Sequence, residues 1–208
     1  MKTKRFSQTL LASAVLLALA APAQAAPMQW TSGSGGNDHW YELVAGLPSI
    51  SWDMARANAL SSTYLGMGGY LATVTSAGEQ TFLSTTFGTA TTNPWIGGSD
   101  ATTEGVWQWM TGPEAGATIA DYFWHSGEPN NYGGAENYLQ MMFLWADIHY
   151  GGHWNDAPGD GWPAAPGFVN GYVVEYPGAP GAQVPEPASL ALLGIGLAGL
   201  GAMRRRKA

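Results

Sequence analysis

The chain has 208 residues, 46% hydrophobic, 12% aromatic and 11% charged, with 29 Gly, 13 Pro, ten Trp and no Cys. That composition excludes a disordered tail and a coiled coil; without cysteine there is no disulfide framework, thiolate metal site or cysteine nucleophile. Residues 26–184 hold 14 acids against the single base Arg56, a balance of −13. A field of that sign repels phosphate backbones, excluding nucleic acid as a partner, and attracts divalent cations.

Lys2, Lys4 and Arg5, an apolar run over residues 10–20 and Ala23-Gln24-Ala25 predict a secretory signal peptide over residues 1–25, cut by signal peptidase. The domain then runs over residues 26–176. Trp40-Tyr41-Glu42-Leu43-Val44 reads as a strand. Ser51 is placed to cap a helix through about Ser61, with Trp52, Ala55, Ala59 and Leu60 as its apolar stripe. Residues 70–74 are strand-like. Ser76 and Glu79 have capping-box spacing and open a second helix through about Thr85. Short strands follow at residues 95–96, 106–110, 138–143 and 172–176, separated by Gly-rich loops. Two early helices followed by antiparallel strands predict an α+β domain.

Residues 177–183 are Pro/Gly-rich and read as a linker. Residues 184–208 then hold Val184-Pro185-Glu186-Pro187, an apolar stretch over 188–203, and Arg204-Arg205-Arg206-Lys207. As a helix the apolar stretch would be about 24 Å long, a short transmembrane helix with its basic end cytoplasmic. This order of parts resembles the PEP-CTERM sorting signal of Gram-negative bacteria. The resemblance implies transient anchoring in the inner membrane and processing by an exosortase-type protease. It also implies delivery to the cell surface or the extracellular space.

The densest cluster of oxygen-bearing side chains lies in residues 127–137, followed by Trp154-Asn155-Asp156. Glu128, Asn130, Glu136, Asn155 and Asp156 supply three carboxylates and two amide oxygens, a donor set suited to Ca²⁺. Such a set leaves coordination positions for the hydroxyls of a ligand. Carboxylates accept from those hydroxyls while amide NH₂ groups donate to them. His149 and His153 have zinc-motif spacing, but Gly151-Gly152 between them spoils a helix, so zinc is not expected. Asp147 and Asp160 read as solvated loop acids, and most tryptophans as core.

Over residues 41–176 the chain resembles the C-type lectins. The resemblance is carried by Tyr41-Glu42-Leu43-Val44, Ser51-Trp52 with Ala55, Gly68-Gly69-Tyr70-Leu71-Ala72, Trp95-Ile96-Gly97-Gly98 and Val173-Val174-Glu175-Tyr176. Its EPN motif is Glu128-Pro129-Asn130, the next glutamate is Glu136, and the WND motif is Trp154-Asn155-Asp156. The family implies a C-type lectin-like fold with small antiparallel sheets and long calcium-binding loops. It also implies a cis proline at Pro129 and a sugar-site Ca²⁺ held by Glu128, Asn130, Glu136, Asn155 and Asp156. EPN implies mannose- or glucose-type sugars, with Glu128, Asn130, Glu136 and Asn155 touching the sugar. Beside them Tyr132 is a candidate for stacking on a sugar face. A second calcium site is implied at Asp100, Glu104, Asn131 and Asn137.

The chain departs from the family in two places. The usual cysteine positions fall on Ala59, Tyr138, Gly159 and Val174, so packing must replace bridges typically worth about 2–5 kcal/mol each. Residues 145–152 form an insertion able to reshape the sugar site. The expected function is that of a non-enzymatic, exported, calcium-dependent lectin acting at the bacterial surface or in an exopolysaccharide matrix. The alternative is a structural or protein-binding surface module on the same fold. A glycosidase built on Glu128 and Glu136 is disfavoured, since no other catalytic motif accompanies them.

Overall fold

The computed structural model describes residues 26–119, 123–145, 148–162 and 168–178. The expected signal peptide and the sorting segment with its apolar stretch lie outside the described residues. Among the described residues no helix is long and apolar enough to cross a membrane.

The elements are β1 (Met28–Gln29), β2 (Trp40–Val44), α1 (Trp52–Ser61), β3 (Thr63–Tyr64), β4 (Met67–Gly68) and β5 (Tyr70–Leu71). There follow α2 (Ala77–Phe87), β6 (Trp95–Ser99), β7 (Gln108–Trp109), β8 (Tyr138–Trp145), β9 (Ile148–Ala157) and β10 (Tyr172–Tyr176). The strands join in one eight-stranded sheet ordered β1-β2-β10-β6-β8-β9, with β5 on β10 and β7 on β6; β3 and β4 form a separate ribbon. All pairings in the large sheet are antiparallel except β6 with β10, which is parallel.

Both helices start where their caps predict. Ser51 Oγ accepts from the Met54 N–H at 3.3 Å and Ser76 Oγ from the Glu79 N–H at 3.1 Å. The second box is not closed in the expected way. The Glu79 carboxylate reaches back one residue further, to the Thr75 N–H at 2.8 Å, and takes the Tyr41 hydroxyl at 2.5 Å.

The sheet is buried on both faces, so the period-2 alternation of its strands divides two cores. Trp40, Trp95, Tyr172, Val174 and Tyr176 face α1 and pack with Trp52, Ala55 and Ala59. Tyr41, Ile96, Val173, Leu139, Met141 and Trp154 face the other way and pack with Leu83 and Phe87 of α2.

The expected strand over residues 70–74 is assigned only at Tyr70–Leu71. Beyond it the Thr73 N–H is taken by the buried Glu175 carboxylate at 3.0 Å, so it is lost to the ladder. Conversely β6 continues through Gly97 and Gly98. A Cβ on Gly97 would lie 2.2 Å from Thr111 Oγ1 and 3.0 Å from the Leu71 carbonyl, so glycine lets the layers approach.

Packing does occupy the cysteine positions. Ala59 and Val174 are fully buried in the α1-side core. The Tyr138 ring lies over Gly159, where a Cβ would come within 2.5 Å of its Cε2, and packs 5.0 Å from the Trp52 ring. The described part of the insertion is strand, and its Tyr150 ring packs edge-on against His125 of the site loop at 4.9 Å. Its described residues lengthen the β8–β9 ladder, with Leu144 opposite His149 and Trp145 opposite Ile148. Leu139 opposite Asp156 stands near the other end of that ladder, about 20 Å away at roughly 3.3 Å per residue.

Candidate metal and sugar site

The site is assembled where the loop between β7 and β8 docks on the end of β9. Trp124 bridges Trp154; the His125 N–H donates to the Trp154 carbonyl at 2.9 Å, and the Trp154 N–H to the Phe123 carbonyl at 2.8 Å. This anchor brings Glu128 beside Asp156. The Glu128–Pro129 peptide is cis, and the side chains flanking the proline bond to each other, Asn130 Nδ2 donating to Glu128 Oε2 at 2.5 Å.

Asp156 is the hub of the loop. Its Oδ1 accepts from the Asn130 N–H at 3.2 Å and its Oδ2 from the Asn131 N–H at 2.7 Å. Asn131 adopts a left-handed conformation (φ 44°), which asparagine tolerates better than most residues. That turn lets its Oδ1 accept from the Glu136 N–H at 3.1 Å, while Glu136 Oε2 accepts from the Tyr132 N–H at 2.7 Å. Asn155 Nδ2 donates to the Asp156 carbonyl. Asn155 and Asp156 belong to β9, a strand rather than the loop expected for them.

The electrostatics are those of crowded, uncompensated acids. Glu136 and Asp156 are buried, while Glu128 is half-buried and Asn130 is exposed. Burial, followed by hydrogen bonding and charge repulsion from Asp156, pushes Glu128 from the ordinary 4.5 up to about 7. Glu136 also rises to about 7, again through burial first and then the charges of Asp156 and Glu128. Among the described residues no lysine or arginine pairs with any of them.

The donor set therefore fits a hard divalent cation in chemistry and in charge. Among the described residues, however, no group of three Asp, Glu or His side chains is gathered so as to hold an ion by itself. In this conformation the carboxylates are engaged by the loop's own N–H groups and by the Asn130 amide.

Of the expected second site, Asp100 is the informative member. It is 3% exposed; its Oδ2 accepts from the Gly105 N–H at 2.9 Å, while its buried Oδ1 has no hydrogen-bond partner among the described residues. Burial, then the charges of Glu104 and Asp156, raises its carboxyl above the usual range. Glu104 is exposed. The Asn131 side chain is engaged by Glu136, and Asn137 meets this region through its main-chain carbonyl, which accepts from Ser99 Oγ and the Asp100 N–H.

Tyr132 is 71% exposed and stacks on Trp162, with ring centroids 6.2 Å apart and planes at 24°. Sequence reasoning did not single out Trp162. No local signal marks it, because its partner lies thirty positions earlier.

The lectin C-type domain family matches residues 50–160, and the PEP-CTERM protein-sorting motif matches residues 183–207. Halomucin of Haloquadratum walsbyi is 39% identical over 149 residues, which is 67% of this chain and 1% of halomucin. Ladderlectin of Oncorhynchus mykiss is 36% identical over 110 residues, 51% of this chain and 50% of ladderlectin. The chain thus spans half or less of these curated relatives. Among solved structures it is similar to the C-type lectin CEL-I of Cucumaria echinata, with TM-score 0.53 and 26% identity over 69% of this chain and 93% of that one. The fold and family are those of non-enzymatic proteins. With its sheet topology, capped helices and EPN and WND segments meeting on the end of β9, this chain belongs to the C-type lectin domain family.

Proposed function

We propose that the protein is an exported, calcium-dependent lectin that binds mannose- or glucose-type saccharides. One observation carries this reading: the cis Glu128–Pro129 turn and the bonds of Asp156 to the Asn130 and Asn131 N–H groups tie Glu128, Asn130 and Asp156 to one loop, with Glu136 bonded to the same loop and no basic side chain, among the described residues, to balance the charge. Burial and neighbouring charge raise the Glu128 and Glu136 carboxyls to about 7, and a bound cation relieves the same cost. Glu128, Asn130, Glu136, Asn155 and Asp156 are the residues that would hold the ion, with Asp100 and Glu104 the core of a second position. When bound, Ca²⁺ supplies direct electrostatic attraction to sugar hydroxyl oxygens.

The protein's own groups supply direction. Glu128 and Glu136 carboxylates accept hydroxyl protons, and the Asn130 and Asn155 amides donate to hydroxyl oxygens. Exposed Asn130 stands at the rim, where a ligand arrives first. The PEP-CTERM motif supports export and sorting to the cell surface. In this reading signal peptidase removes residues 1–25 and an exosortase-type protease removes the C-terminal segment. The domain then acts at the surface or within exopolysaccharide.

Titration calorimetry with Ca²⁺, then with methyl α-mannoside and methyl β-galactoside, before and after EDTA, tests the proposal. The expected result is mannoside binding that needs calcium, with the galactoside weaker. No calcium binding at millimolar concentration overturns it. Calcium binding without response to any saccharide would favour the protein-binding alternative.

A further inference from the structure

We infer that the stacked Tyr132–Trp162 pair is a second saccharide subsite beside the candidate ion site, with Trp162 positioning the Tyr132 ring, and that the natural ligand is a chain of linked pyranoses. This inference rests on the lectin reading above and extends it to the length of the ligand.

An isolated tyrosine that is 71% exposed would ordinarily sample several rotamers in water. Here both ends of the residue are held. Its N–H donates to Glu136 Oε2 at 2.7 Å, and the N–H of the preceding Asn131 donates to Asp156 Oδ2 at 2.7 Å. The root of the side chain is therefore tied to two of the carboxylates assigned to the ion. Its ring lies nearly parallel to the Trp162 indole, at 6.2 Å and 24°.

Trp162 is fixed in turn. It is half-buried and packs edge-on against Phe168 at 6.2 Å and 70°. Its backbone has φ 62°, a left-handed conformation uncommon for a bulky residue. Its indole Nε1 is buried with no hydrogen-bond partner among the described residues, so ring contacts are what the structure shows orienting it.

The pair thus offers an immobilised aromatic face at the rim of a site whose other groups are all polar. The C–H face of a pyranose is the complement of such a surface, because it stacks on a ring while its hydroxyls remain in water. Tyr132 lies two residues beyond Asn130 and four before Glu136, so a sugar on its ring neighbours one held at the ion. A glycan with consecutive pyranoses satisfies both positions. Ordering Tyr132 in advance removes a conformational cost of binding, which gives Trp162 its role.

The test is calorimetry on the calcium-loaded full chain with methyl α-mannoside and with an α-linked mannotriose. Wild type is expected to bind the triose about tenfold more tightly than the monosaccharide, the scale of one aromatic stacking contact. Trp162→Ala is expected to bring that ratio to within about twofold, and Trp162→Phe, which keeps a flat ring, to retain most of it. Calcium affinity and thermal midpoint are measured alongside as a control for folding. An unchanged ratio in Trp162→Ala overturns the inference, as does equal loss of both sugars together with calcium. A wild-type ratio near one, with calcium-dependent mannoside binding intact, overturns the subsite alone. Absence of any saccharide binding overturns the lectin reading and the subsite with it.

Discussion

Glu136→Gln separates a metal ligand from an ordinary structural acid, because the two roles predict opposite signs. Glu136 is 2% exposed, and its carboxyl is raised from 4.5 to about 7. At 1.36 kcal/mol per unit, that shift amounts to about 3 kcal/mol of unfavourable free energy in the ionised, calcium-free protein. The folded carboxyl keeps its proton up to about pH 7, whereas the unfolded one releases it near 4.5. The folded state therefore binds more protons between those values, and the associated stability, fully present below 4.5, is lost as pH rises through 7. Glutamine removes the charge and retains an oxygen to accept the Tyr132 N–H. In EDTA at pH 8 the variant should be more stable than wild type by up to about 3 kcal/mol, and at pH 4 nearly equal to it. With calcium at one hundred times its Kd the wild type should gain about 2.7 kcal/mol, and the variant little. Urea unfolding followed by tryptophan fluorescence, at both pH values with EDTA or calcium, reads all four quantities. A variant less stable than wild type in EDTA at pH 8, with an undiminished calcium increment, would refute the reasoning.

Three further predictions concern the scaffold. His39 Nδ1 lies 2.6 Å from Glu175 Oε1, and that hydrogen bond raises the imidazole pKa above 6.5. Its stabilisation is present below 6.5 and lost as pH rises through the raised value, so His39→Ala should cost about 1.5–3 kcal/mol at pH 6 and much less at pH 9. Equal urea midpoint losses at both pH values would count against this. Ser76→Ala removes the oxygen that accepts the Glu79 N–H, and should cost about 1 kcal/mol and lower the melting temperature by about 2–4 °C. Gly97→Ala sets a methyl against Thr111 Oγ1 and the Leu71 and Ala72 carbonyls; strain of about 1–3 kcal/mol should appear as a lower denaturation midpoint. A neutral variant there would show that β6 has room to shift.

What the sequence by itself determined is what short-range chemistry controls. The starts of α1 and α2 are set by serines bonding three residues ahead, and β2 and β10 by residues that suit a pleated strand, so these were legible at the residue. The acidic balance and the spacing of Glu128, Asn130, Glu136, Asn155 and Asp156 likewise named the candidate donors, since ligand chemistry depends on residue type. Tertiary structure decided where those donors sit and what engages them. Asn155 and Asp156 became part of a strand, and residues 148–152 part of the same strand, with Tyr150 packing on the His125 ring of the site loop. Asn131 became a loop staple, its Oδ1 accepting from the Glu136 N–H. Glu79 left its box for Tyr41 because β2 delivers a buried hydroxyl to the α2 cap. Tyr132 found Trp162 across a long stretch of chain. Most of these outcomes turn on contacts between residues far apart in sequence, formed when the sheet brings its two cores and the connecting loops together, and no local pattern encodes them.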